Sequence, residues 1–122
     1  MQIINPYAAP GLKLPRVSIS PARIIKLVCL EMDIPEKEFF KNTRNRRQNF
    51  VFARYIAAWF MRKECQIIIA EIGRQLNKDH SSIVHYLKQV NYAFDTQYKP
   101  LLQPIKKIQS QINTIIDHER NI

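Results

Sequence analysis

The chain holds only two glycines, Gly11 and Gly73, in 122 residues. A phosphate-cradling loop of the form Gly-x-x-x-x-Gly-Lys-Ser/Thr needs two glycines five residues apart, so that mode of nucleotide binding is excluded. There are two cysteines, Cys29 and Cys65. Each lies inside an apolar helical pattern, which reads as a buried free thiol in a reducing compartment. Together with His80, His85 and His118 they fall at no spacing that suits a metal ion. No Ser-His-Asp pattern and no paired carboxylates stand out, so the expectation is a protein that is not an enzyme and uses no cofactor. No apolar run reaches the roughly 18 residues of a membrane span. The start of the chain lacks a charged segment followed by an apolar one, the mark of a secretory leader. A cytoplasmic protein with no membrane partner is expected.

Acidic residues are missing from one long stretch. Residues 39–63 contain none, while Lys41, Arg44, Arg46, Arg47, Arg54, Arg62 and Lys63 all fall there. The acids gather elsewhere, as at Glu31, Asp33, Glu36 and Glu38. The formal net charge is +9 and the isoelectric point about 9.8. A segregated positive field of this kind favours a polyanionic partner, nucleic acid first and an anionic membrane surface second.

What is present is helical periodicity. Residues 1–19 carry three prolines and no helical period, and read as an extended arm. Ser20-Pro21 is a helix start, with a serine cap and proline at the first helical position. Ile24, Ile25, Leu27, Val28 and Met32 give that helix one apolar face to about residue 32. Asp33-Ile34-Pro35 opens a short second helix with Phe39 and Phe40 as anchors. Residues 42–48 form a polar, basic break. Asn49 is a plausible cap for a long helix to about Glu64, with Phe50, Ala53, Ala57, Phe60 and Met61 at helical spacing and Trp59 on its core side or a flank. Ile67, Ile68, Ile69, Ile72 and Leu76 suggest a fourth helix. A triple isoleucine also suits a buried strand, but residues 70–76 continue the helical period. Asp79 caps a fifth helix whose inner face is Ile83, Val84, Leu87 and Val90. Pro100 and Pro104 then interrupt the chain, and Ile105, Ile108, Ile112, Ile115 and Ile116 mark a last amphipathic helix over residues 103–119. The class is all-α, with about six helices. The expected division is an arm (1–19), a helix-turn-helix domain (20–99) and a helical tail (100–122), the tail packing on its own domain or joining a partner or a second copy.

The most informative stretch is Asn77-Lys78-Asp79-His80-Ser81-Ser82-Ile83-Val84-His85-Tyr86-Leu87-Lys88. A polar, basic turn runs into a helix whose first turn bears hydrogen-bonding side chains. With the short helix before it, this is the layout of a helix-turn-helix. Gly73 suits the close crossing of the two helices, or is a tolerated glycine costing about 1 kcal/mol against alanine. His80 can donate or accept at a base edge, and Ser81 and Ser82 can donate to bases or phosphates. Asp79 either caps the helix or accepts from a cytosine amine. Lys78 and Lys88 suit phosphates, whereas His85 faces a different side from His80. Arg44, Arg46 and Arg47 suggest a minor-groove or backbone contact, where negative potential favours arginine. Arg54 and Arg62, eight residues apart, share a helix face that holds phosphates or simply lays alkyl stems on the core.

Over residues 24–90 the chain resembles the C-terminal DNA-binding domain (domain IV) of the bacterial chromosomal replication initiator, the DnaA family. The resemblance rests on Arg54-Tyr55-Ile56-Ala57, on Glu71-Ile72-Gly73 and on Lys78-Asp79-His80-Ser81-Ser82-Ile83-Val84-His85. The family pattern is Glu-Ile-Gly, a short turn, then Arg-Asp-His followed by two threonines or serines and a valine or isoleucine. It implies a small DNA-reading domain specific for short origin boxes, acting in replication or its regulation. It further implies that Asp79, His80 and Ser81 read the major groove of double-stranded DNA, that Arg46 enters the minor groove, and that Lys78, Ser82 and Arg62 contact DNA nearby, mostly at the backbone. Three departures stand out. Serines replace threonines and remove methyls that could pack on thymine. The turn is one residue shorter than the common form, which would tilt the second helix. The phosphate loop of the initiator's ATPase is absent from these residues, so neither nucleotide binding nor ATP-driven origin opening is expected. A small transcriptional regulator of the same fold and an assembly protein built on the last helix are the alternatives.

Overall fold

The computed structural model describes residues 19–41 and 44–120. The expected arm therefore lies outside the described residues except for Ile19, as do Asn42 and Thr43 of the basic break. Six helices follow one another, α1 (Pro21–Met32), α2 (Glu36–Lys41), α3 (Gln48–Lys63), α4 (Ile69–Leu76), α5 (His80–Thr96) and α6 (Lys99–Arg120). Among the described residues there is no strand, and the expected all-α class holds.

α1 begins as its sequence dictates. The Ser20 side chain accepts from the Arg23 amide, and Pro21 takes the first helical position, where a missing N–H costs nothing. It ends at Asp33, which adopts a left-handed conformation (φ 57°) while the Ile34 amide returns to the Cys29 carbonyl at 2.9 Å. In α2 only Phe39 is an anchor. Phe40 is 48% exposed, its ring set edge-on to Phe39, because consecutive residues of one short helix cannot face the same way.

α3 is the axis of the molecule. Phe50, Ala53, Ile56, Ala57, Ala58, Trp59, Phe60 and Met61 are all buried, an apolar surface too wide for one neighbour. α1, α4 and α5 accordingly pack around it. Trp59 takes the core side, 4.9 Å from Phe60 and 5.4 Å from Phe94 between ring centres. The helix begins two residues earlier than expected, with Arg47 rather than Asn49 at its cap position. Asn49 instead donates to the Met32 carbonyl at 3.3 Å and ties the start of α3 to the end of α1.

α4 begins at Ile69, later than the isoleucine run suggests. Gln66 has a left-handed backbone (φ 57°), and the Arg62 guanidinium donates to the Ile67 carbonyl at 3.1 Å. Both hold Ile67 and Ile68 in an extended connection, and Ile68 is left exposed.

The prolines do not interrupt the last helix. α6 starts at Lys99, so Pro100 sits in its first turn, where no intrahelical bond is lost. Pro104 removes one such bond. Leu101, Leu102 and Ile105 are buried on either side of it and fix that turn against the body. Ile108, Ile112 and Ile116 continue the stripe. α6 packs on α1 and α5, with Arg23–Glu119 (2.7 Å) and Glu31–Lys107 (3.6 Å) ion pairs at its rim. Both thiols are free and are pushed up to about 11, chiefly by burial. Cys29 is buried, whereas Cys65 is half-buried and donates to the Ile19 carbonyl at 3.0 Å.

Candidate nucleic-acid interface

The pair α4–α5 is joined by the three residues Asn77, Lys78 and Asp79, and the backbone sets its geometry. Asn77 takes the left-handed conformation (φ 54°, ψ 50°), which asparagine tolerates better than most residues. The Lys78 amide donates to the Gly73 carbonyl at 2.9 Å and closes the end of α4. This folds the turn back over the helix. A Cβ on Gly73 would lie 2.6 Å from the Lys78 carbonyl oxygen and 3.9 Å from Ile83. The glycine is therefore required by close approach, but chiefly of the turn's own backbone rather than of the crossing helix.

Asp79 caps α5. Its carboxylate accepts from the Ser82 amide at 2.8 Å and from the Ser81 hydroxyl at 3.1 Å. Bonds from Ser82 and Ser81 hold the Asp79 carboxyl below the usual aspartate range. Both bonds fall on the one carboxylate oxygen Oδ1, which makes Asp79 the cap of α5. His80 and Ser81 are exposed at the helix start. α6 packs on α1 and on α5, and its burial does not extend to them.

The basic loop is anchored to this head. The Asn45 side chain accepts from the Arg47 amide at 2.9 Å, and its carbonyl accepts from the Arg54 guanidinium at 2.7 Å. Arg54 is only 9% exposed, and burial lowers its proton affinity. Its guanidinium holds the loop from beneath. Lys78 is half-buried, and its proton affinity is lowered by burial and then by the fields of Arg54 and Arg44. Loop, α3 and turn therefore bring three cations, Arg44, Arg54 and Lys78, into one neighbourhood. Arg44, Arg46 and Arg47 remain exposed on the loop, and Lys88 is exposed on α5, about two turns beyond Ser81.

Arg62 is not part of that cluster. It lies about 12 Å along α3 from Arg54, at the connection it holds through Ile67. Sequence reasoning overlooked Asn45. An asparagine two residues before a helix cap is an available signal, since its side chain can close a turn on the backbone two residues on. His85, five residues beyond His80 and so on a different side of α5, is exposed, with its ring 6.0 Å from that of Tyr55.

Among the described residues no group of histidine, cysteine or acidic side chains is arranged to hold a metal, and no helix is long and apolar enough to cross a membrane. Comparison with known proteins agrees with the geometry. Residues 21–90 match the family described as the bacterial DnaA protein helix-turn-helix. The chromosomal replication initiator protein DnaA of Oleidesulfovibrio alaskensis is 31% identical over 61 residues, covering 50% of this chain and 13% of that protein. The initiator protein DnaA of Desulfotalea psychrophila is 29% identical over 73 residues, 60% of this chain and 15% of that protein. The chain thus spans a small fraction of the length of these curated relatives. Because the family match covers more than half of the sequence and runs from the start of α1 into α5, the chain belongs to the bacterial DnaA helix-turn-helix family and carries a DNA-binding domain of the domain IV type.

Proposed function

We propose that this chain binds duplex DNA at short defined sequences and acts in replication initiation or its control, without using nucleotide itself. The observation that supports this most strongly is the exposed start of α5, with His80 and Ser81 at its tip and an anchored basic loop beside it. In this reading α5 enters the major groove, where each base pair presents a distinct pattern of donors, acceptors and methyl groups. His80 and Ser81 meet base edges. Asp79 primarily shapes the turn, through the oxygen Oδ1 that accepts from the Ser82 amide and the Ser81 hydroxyl. Arg46 enters the neighbouring minor groove, and Arg44, Arg47, Lys78, Ser82 and Lys88 meet the backbone.

Arg54 and Arg62 act in this proposal mainly by positioning. Each spends a guanidinium donor on a backbone carbonyl, one under the loop and one at the start of α4. The alternative of a dimer built on α6 loses its main support, because the isoleucine stripe is already buried on α1 and α5. The test is a salt titration with duplexes carrying an initiator box and with scrambled duplexes. Affinity for the box is expected to fall on the order of a thousandfold between about 50 and about 200 mM salt, while remaining above that for scrambled DNA throughout. Equal affinity for both duplexes contradicts sequence-specific reading.

A further inference from the structure

On α5, Ser81, His85 and Lys88 recur at four- and three-residue spacing, and all three are exposed. Ile83, Leu87 and Val90 are buried on the opposite side. A residue four positions on is displaced about 40° around the helix and about 6 Å along it. His85 therefore continues the ridge that Ser81 begins, a little under two base-pair steps of about 3.4 Å further along.

His85 also differs from the other exposed side chains of that ridge in having its ring oriented. The ring of Tyr55 on α3 meets it at 85° with 6.0 Å between centres, an edge-to-face arrangement. Tyr55 is itself half-buried, with Tyr86 at 5.3 Å and Phe52 at 6.2 Å. A side chain fixed in this way loses little freedom on meeting a partner. Meanwhile the Asp79 carboxylate and the Ser81 proton are joined to each other.

We propose that His85 is a second base-reading residue of α5, contacting a base edge about two base pairs beyond the one met at Ser81, with Tyr55 as its positioning residue. This rests on the major-groove reading above and specifies it further. The two ring nitrogens offer a donor and an acceptor to the groove, and the Tyr55 ring limits the directions in which they point.

The test takes the best-bound duplex of the wild-type protein and changes each base pair in turn. Binding of the whole chain is measured for wild type, His80→Ala, His85→Ala and Tyr55→Leu. His85→Ala is expected to lose about tenfold of discrimination at one or two adjacent positions, distinct from those flattened by His80→Ala. Its affinity for scrambled duplex is expected to change by less than about twofold, because a base-edge contact adds little to non-specific binding. Tyr55→Leu is expected to flatten the same positions less deeply. A position profile for His85→Ala that matches wild type, beside a flattened profile for His80→Ala, overturns this inference alone. A wild-type protein with no positional preference overturns the major-groove reading and this inference with it. A uniform loss at every position in Tyr55→Leu removes its positioning role.

Discussion

The reading head and the body of this domain are held by different forces. In the body, α1, α3 and α6 meet through side chains such as Ile24, Phe60 and Ile108, each fully buried. In the head, the decisive contacts are made by backbone and short polar groups. These are the left-handed Asn77, the Lys78–Gly73 hydrogen bond, the Asp79 cap and the bond from Arg54 to the Asn45 carbonyl. Burial is non-directional and tolerates small shifts. Hydrogen bonds and left-handed residues fix angles. The lesson is that the body supplies stability, and the head uses it to hold exposed polar side chains in a set direction.

That division can be broken at several strengths. Ile108→Ala empties a fully buried site in α6 and should cost about 2–5 kcal/mol of stability. Measured on the folded fraction, its choice among duplexes should not change. Altered base preference in this variant would show that body and head are not separable. Gly73→Ala sets a methyl 2.6 Å from a backbone oxygen that must move with the turn. Its stability should fall by about 1–3 kcal/mol, the usual range for overpacking, and specific binding should weaken with it because α5 tilts. Unchanged melting and binding would mean that the turn yields freely.

Arg54→Ala removes a charge-assisted bond of the kind worth about 1.5–3 kcal/mol and frees the basic loop. Thermal melting should show the loss, and the contribution of Arg46 should shrink in the same variant. If Arg46→Ala costs as much binding with Arg54 present as without it, the anchoring role is wrong. Asp79→Asn gives the smallest effect, and it depends on pH. The folded-state carboxyl is depressed below the ordinary aspartate value. Its contribution is therefore fully present above the unfolded value of about 4 and is lost as pH falls through the lower folded value. Asparagine keeps a capping oxygen without titrating. Melting temperatures followed from neutral pH downward should show wild type losing its advantage over Asp79→Asn below about pH 4. Parallel curves would remove the charge from the cap.

Much of this was legible in the residues. Ser20-Pro21 and the Asp79 cap are local signals, readable because the interaction lies within three residues of its cause. The periodic isoleucines of α6 showed a buried face, and only coordinates could show that α1 and α5 cover it. Errors arose where tertiary contacts override local rules. Pro104 stays helical because its neighbours are packed, and Ile67 leaves the helix because Arg62 holds its carbonyl. Of the candidate site, the tip at Asp79, His80 and Ser81 came from one motif. The coupling of Arg44, Arg54 and Lys78 did not, since it joins residues from three separate segments.

The most direct measurement is residue-by-residue amide NMR of the whole chain titrated with its preferred duplex. Large shifts are expected at Lys78, His80, Ser81, Ser82 and His85 and in the loop at Arg46 and Arg47, with the outer face of α6 unmoved. Shifts confined to α6 and α1, with the start of α5 silent, would contradict the assignment of that helix to the major groove.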